Sequence, residues 1–133
     1  MDHKLFLSSV IIATGLVVLA VPQARAADAT TELATATAHA GMAAAAGELK
    51  MVHAHLHHVV NCLVGPGAPD YDAAQADPCK GQGMGVIPDT AADKRGPLGA
   101  AVGMAKQGIA QDDLTKAKAD AAALQAALKK ASM

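Results

Sequence analysis

Residues 49–66 read LKMVHAHLHHVVNCLVGP. Apolar side chains recur along this stretch at steps of three and four residues: Leu49, Val52, Leu56, Val59 or Val60, and Leu63. This spacing is typical of the buried face of an amphipathic helix. Gly65 and Pro66 end the pattern, because glycine readily adopts the left-handed conformation of a helix end and proline has no N–H to donate. We therefore predict a core helix that ends near Leu63.

The residues before this stretch favour helix as well. Residues 30–63 contain no proline and are rich in alanine, the strongest helix former. Gly41 and Gly47 interrupt the run, and each costs about 1 kcal/mol relative to alanine inside a helix. The sequence predicts one helix over about 30–63, or two helices if the chain breaks between these glycines.

The rest of the chain predicts a long loop followed by two helices. Glycine and proline punctuate residues 64–90, which indicates a loop. A glycine–proline pair opens a helix over about 97–110, and a pair of aspartates begins another over about 112–131. No strand pattern competes with these helices. The predicted fold is all-α: a small antiparallel bundle of three helices, or four if the first one breaks, in a single domain over 27–133.

The first 26 residues have the composition of a secretory signal peptide. Lys4 precedes an apolar run over residues 5–21, and Ala24-Arg25-Ala26 supplies the small residues that signal peptidase requires. We expect cleavage after Ala26 and a mature chain that is periplasmic or secreted and not attached to a membrane. A retained anchor is the alternative, but an apolar run of about seventeen residues is at the short limit for spanning a bilayer.

The chain has two cysteines, Cys62 in the core helix and Cys79 in the loop. In an oxidising compartment each has only the other as a partner within the chain. We predict a Cys62–Cys79 disulfide that pins the loop against the end of the core helix. Two free thiols or an intermolecular pair are the alternatives.

Four histidines lie within six residues of the core helix: His53, His55, His57 and His58. Imidazoles one helical turn apart can reach the same ion, and neutral imidazole suits Cu, Zn and Ni. Additional ligands could come from His39 and from Met51, whose thioether would favour copper in its lower oxidation state. The cluster predicts a transition-metal site, and histidines that simply pack beside the core are the competing interpretation.

The helical repeat divides these side chains between two faces. At about 100° per residue, Met51, His55 and His58 share one face of the core helix. His53 and His57 share another face, on the opposite flank of the apolar stripe. Neither face alone completes the three or four ligands of a protein metal site, so the remainder must come from elsewhere in the fold.

Composition argues against several other functions. The predicted mature chain carries nine basic and eleven acidic residues and one aromatic residue, Tyr71, so it lacks the basic stripe and stacking platforms of nucleic-acid-binding proteins. A haem site is not favoured, because there is no Cys-x-x-Cys-His sequence and aromatic residues to line a pocket are scarce. No motif places a catalytic nucleophile beside a base, so we expect no enzymatic activity.

The residues HLHHVVNCLVGP (55–66), followed by PCKG (78–81), resemble a stretch found in small exported bacterial helical proteins. The resemblance covers the middle of the chain. It implies a location outside the cytoplasm, and it implies no activity and no functional residues.

Two functions fit these observations. The first is an exported metal-binding protein, such as a carrier, buffer or sensor, that uses the histidine cluster. The second is a non-catalytic structural or interaction protein, such as an envelope-stress factor, that contacts a protein partner or a second copy of itself. In that case the histidines serve packing or respond to pH, because imidazole gains its charge between pH 5 and 8.

Overall fold

The structure is a computed structural model that describes residues 29–133. Its helices, in chain order, are α1 (Ala29–Ala45), α2 (Leu49–Val64), α3 (Val86–Asp89), α4 (Gly96–Ile109) and α5 (Leu114–Ala131), with a 3-10 turn at Ala92–Lys94. No strand occurs within these residues, which confirms the all-α prediction for this part of the chain. None of the helices between residues 29 and 133 combines the length and apolar character needed to cross a bilayer. The predicted signal peptide, residues 1–26, lies outside the described residues.

Residues 30–63, for which one helix or two were predicted, form two helices. The chain leaves α1 at Ala45 and enters α2 at Leu49, so residues 46–48 form a turn. Gly47 lies at the centre of that turn. Gly41 instead lies inside α1, where a Cβ atom would collide with the side-chain amide of Gln125 on α5. Gly47 therefore lies in a turn, and Gly41 lies at a close contact between α1 and α5.

The last helix begins slightly later than its sequence pattern predicts. Asp113 precedes α5, and its side chain accepts a hydrogen bond from the backbone N–H of Lys116 at 2.9 Å. The aspartate thus satisfies one of the free N–H groups at the helix start. Acidic residues commonly have this capping role at the start of a helix. The helix itself starts at the next residue, Leu114.

One core joins the four longer helices. α1 packs against α2 and α5, and α4 packs against the same two helices. Buried alanines form most of the contribution of α1 to the core, whereas α2 and α5 supply its largest apolar side chains: Leu56, Leu63, Leu124 and Leu128. Alanine adds little apolar area, so α1 contributes to the core chiefly by approaching its neighbours closely. The apolar stripe predicted on α2 faces this shared core, since Val52, Leu56 and Leu63 are fully buried.

The loop between α2 and α4 is tied to the end of α2 at two adjacent residues. Cys62 and Cys79 form the predicted disulfide, with Cα atoms 5.2 Å apart. The buried Asn61 side chain donates from Nδ2 to the carbonyl of Asp72 at 2.9 Å and accepts the N–H of Asp72 at Oδ1, also at 2.9 Å. Near its end, the predicted loop over 64–90 contains the short helix α3.

Candidate metal centre

The turn at residues 46–48 brings three histidines together. His39 lies on α1, and His55 and His58 lie one turn apart on α2. All three are half-buried. We call these residues the histidine trio.

The nitrogen atoms of the histidine trio are at the spacing of metal ligands. Nδ1 of His39 lies 3.2 Å from Nδ1 of His55 and 3.4 Å from Nδ1 of His58. One ring nitrogen from each residue lies within 4.8 Å of the other two. In a tetrahedral site with metal–nitrogen bonds of about 2.0 Å, two ligand nitrogens are about 3.3 Å apart. The two short separations in the trio match this value.

Hydrogen bonding within the trio explains only one of these two short approaches. A neutral imidazole has one N–H donor and one acceptor nitrogen, and each nitrogen has a single hydrogen or a single lone pair in the ring plane. Nδ1 of His39 can therefore make one good hydrogen bond, either to His55 or to His58. A metal ion would accept the lone pairs of all three nitrogens at once.

The environment of His39 and His58 favours the neutral imidazole, which is the form that binds metal. Burial lowers the pKa of His39, and the nearby His58 and His55 lower it further, since one positive charge disfavours another. Burial also lowers the pKa of His58, with additional lowering from His55 and His57. Both rings are consequently ready to ligate near neutral pH without first losing a proton.

The other two histidines of the predicted cluster make different contacts. Nε2 of His53 lies 2.9 Å from the carbonyl oxygen of Gln111, in the connection between α4 and α5. Nδ1 of His57 lies 3.5 Å from a carboxylate oxygen of Asp72 in the loop. The four histidines of the predicted cluster therefore lie on two different faces of α2. His39, from α1, contacts the face that carries His55 and His58.

Met51, the predicted thioether ligand, lies beside the trio on an exposed surface. Its side chain is 45 % exposed and lines an open cavity at the α1–α2 turn together with His55 and Met42. No sequence pattern indicated Met42 as a ligand. Met42 is 46 % exposed and lies on α1.

A sequence signal for the pairing of His39 with His55 does exist. Gly47 lies eight residues after His39 and eight residues before His55. If the chain folds back at Gly47, the two histidines come to the same height on adjacent helices. The signal depends on choosing Gly47 rather than Gly41 as the turn, and the sequence left that choice open.

A second group of potential ligands among the described residues consists of Cys62, Cys79 and Asp77. The two sulfur atoms are joined in the disulfide, so neither is the thiolate that binds metal. Asp77 accepts a hydrogen bond from the backbone N–H of Cys79 at 3.0 Å. The group is a structural feature of the loop in this state, which leaves the histidine trio as the candidate metal centre.

Comparison of the chain with protein-family models, with curated proteins and with solved structures finds no match. The resemblance to small exported bacterial proteins accordingly stays a prediction.

Proposed function

We propose that this protein binds a transition-metal ion, one of Cu, Zn or Ni, through His39, His55 and His58. The observation that carries the proposal is the approach of three imidazole nitrogens from two helices, with Nδ1 separations of 3.2 and 3.4 Å. Three protein ligands leave a coordination position for a fourth ligand, whereas structural zinc sites fill all four positions with protein. An open position suits a carrier, buffer or sensor that exchanges its ion.

The proposed role is binding rather than catalysis. Three imidazoles can hold an ion, but a reaction mechanism also requires a placed nucleophile or activated water and a group that orients it. Nothing in the sequence motifs assigns those roles. The partner that we propose is therefore the metal ion itself, with a protein or a second copy of the chain as a further candidate for the fourth ligand.

The proposed scaffold of the site is a small antiparallel bundle of the four longer helices. Short connections support this arrangement, since residues 46–48 join α1 to α2 and residues 110–113 join α4 to α5. We also propose that the protein works outside the cytoplasm, in an oxidising compartment. The Cys62–Cys79 disulfide supports that location, because such bonds persist mainly where thiols are not kept reduced.

A metal titration with matched variants tests the proposal. The disulfide-bonded protein, stripped of metal, is titrated with Zn²⁺, Cu²⁺ and Ni²⁺ by calorimetry, beside H39A/H55A/H58A and the control H53A/H57A. We expect saturable binding with a Kd below about 100 μM in the unmodified protein and the control, and its loss in the trio variant. Circular dichroism establishes that each variant keeps its helix content.

Two results would contradict the proposal. The first is weak, non-saturable binding of all three ions by the unmodified protein. The second is loss of binding in H53A/H57A together with full binding in H39A/H55A/H58A, which would move the site to the other face of α2.

A structural or interaction role without metal is a second proposal. It is favoured by the contacts of His53 with Gln111 and of His57 with Asp72, which join α2 to the α4–α5 connection and to the loop. In that case the H53A/H57A variant would lose stability or partner binding, and the trio variant would not. The same pair of variants therefore separates the two functions.

A further inference from the structure

Two exposed methionines flank the histidine trio, one on each helix. Met42 follows His39 by three residues on α1, and Met51 precedes His55 by four residues on α2. Each methionine therefore lies one helical turn from a histidine of the trio, on the side toward the α1–α2 turn. On each helix, a methionine therefore lies nearer the α1–α2 turn and a histidine lies one turn farther from it.

Both methionines open onto one cavity. Met42, Met51, Glu48 and His55 line a cavity of about 420 Å³ at the α1–α2 turn, and the cavity is open to solvent. The described residues include four large apolar side chains that are exposed, and two of the four are these methionines. Since an exposed methionine adds little to the core, packing does not account for placing two of them beside His55.

The chemistry of thioethers identifies the ion that this cavity would favour. Neutral sulfur ligands are soft and select Cu(I), whereas imidazole is a ligand type that also suits Zn and Ni. The two thioethers, which are exposed to solvent, would bind a soft monovalent ion first. The three imidazoles, which lie farther from the α1–α2 turn, would then bind it more tightly than the thioethers do. The carboxylate of Glu48 adds a negative charge at the same opening.

We propose that Met42 and Met51 form an entry site for Cu(I), from which the ion passes to His39, His55 and His58. This inference rests on the proposed metal site and names its ion and its route of entry. The ion keeps its oxidation state throughout, so the transfer is an exchange of ligands without oxidation or reduction. Zn²⁺ reaches the same imidazoles without using the methionines.

The first test compares M42L/M51L with M84L. Leucine is close to methionine in volume and apolar character but has no sulfur donor, and Met84 is an exposed methionine in the loop, 64 % exposed. Cu(I) is presented as its bicinchoninate complex, and its transfer to the protein is followed by stopped-flow absorbance. Zn²⁺ affinity is measured by calorimetry on the same samples.

We expect M42L/M51L to slow Cu(I) transfer by at least about tenfold, the scale of losing groups that assist the primary ligands. Its Zn²⁺ affinity should stay unchanged, and M84L should behave like the unmodified protein in both assays. Cu(I) transfer at an unchanged rate, with Zn²⁺ binding intact, would overturn the entry site and leave the proposed metal function standing. Absence of any metal binding in the unmodified protein would overturn both.

A second measurement locates the ion without a variant. Ag⁺ is a soft monovalent ion that does not change oxidation state here, and its binding is followed through the methyl resonances of methionine. We expect the Met42 and Met51 methyl groups to shift at the lowest Ag⁺ ratios and the Met84 methyl group to stay in place. Equal shifts for all three methyl groups would mean that the cavity has no selectivity and would overturn the inference.

Discussion

At the scale of single residues, Glu32 shows how the fold changes the meaning of an ordinary side chain. The sequence explains Glu32 as an acid in the first turn of α1, where it suits the helix dipole. In the structure it is 1 % exposed, Oε1 accepts the N–H of Gly85 at 2.9 Å, and Oε2 has no hydrogen-bond partner among the described residues. Burial raises the pKa of Glu32, the Gly85 N–H opposes that rise, and the nearby Asp89 and Asp77 add to it.

We predict that E32Q stabilises the protein at pH 7 and flattens its dependence on pH. A carboxyl group with a raised pKa stabilises the fold at low pH, and that stability is lost as the pH rises from about 4.5 through the pKa of the folded state. Glutamine keeps an acceptor for Gly85 without the buried charge, so the free energy of unfolding at pH 7 should rise by about 1 kcal/mol. Urea unfolding at pH 4 and pH 7 measures both effects. A variant that is less stable than the unmodified protein at pH 7, with the same pH slope, would contradict the prediction.

Two histidines of the trio, His39 and His58, give a pH dependence of the opposite sign. The folded protein lowers the pKa of His39 and His58 from 6.5, so the unfolded chain takes up protons first. We predict that without metal the free energy of unfolding falls as the pH drops below about 6.5 toward the lowered pKa values. In H39Q/H58Q, compared with the unmodified protein, this fall should be smaller between pH 7 and pH 5. Urea unfolding in the presence of a chelator measures it, and identical slopes in the two proteins would show that the fold does not lower the pKa of His39 and His58.

At the scale of helices, the approach of α4 to α2 depends on Gly108. A Cβ atom at Gly108 would lie 2.6 Å from Cδ1 of Leu56, a fully buried side chain that would have to shift within the core. A Cβ atom at Gly99, on the same helix, would meet nothing within 4 Å. The helical pattern of α4 does not distinguish these two glycines, because only contacts between helices set them apart.

We predict opposite effects for G99A and G108A. In G99A the gain in helix propensity should raise the free energy of unfolding by about 0.5–1 kcal/mol. In G108A the added methyl group should displace Leu56 and lower the free energy of unfolding by about 1–3 kcal/mol. Urea unfolding of the two variants side by side is the measurement. Equal stabilisation by both would mean that α4 can move away from α2 at little cost.

At the scale of the whole molecule, the long loop is part of the fold because α2 holds it. The disulfide joins residues 17 positions apart, and Asn61 bonds the same loop through the backbone of Asp72. The histidine trio lies on α1 and α2, with His58 one helical turn from Cys62, and none of its three ligand nitrogens comes from the loop. Stability of the loop and assembly of the site are therefore separable.

We predict that C62A/C79A lowers the free energy of unfolding by about 3 kcal/mol, since the unfolded chain regains the freedom of the closed loop. The variant should still bind metal under conditions where it is folded, because the loop contributes no histidine to the trio. Urea unfolding and a Zn²⁺ titration measure the two properties. An unchanged unfolding midpoint would show that Asn61 and the core alone fix the loop.

The sequence by itself determined the features that follow from local periodicity and from a short inventory of residues. The apolar stripe of α2, its end at Gly65 and the pairing of the only two cysteines are of this kind. The sequence also indicated the three histidines of the trio as candidate metal ligands, but it indicated His53 and His57 equally. Tertiary structure decided which histidines meet, because that depends on where the chain turns between α1 and α2 and on which face of α1 packs inward. It likewise decided the burial of Glu32, since the contact with Gly85 joins residues 53 positions apart and no local pattern encodes it.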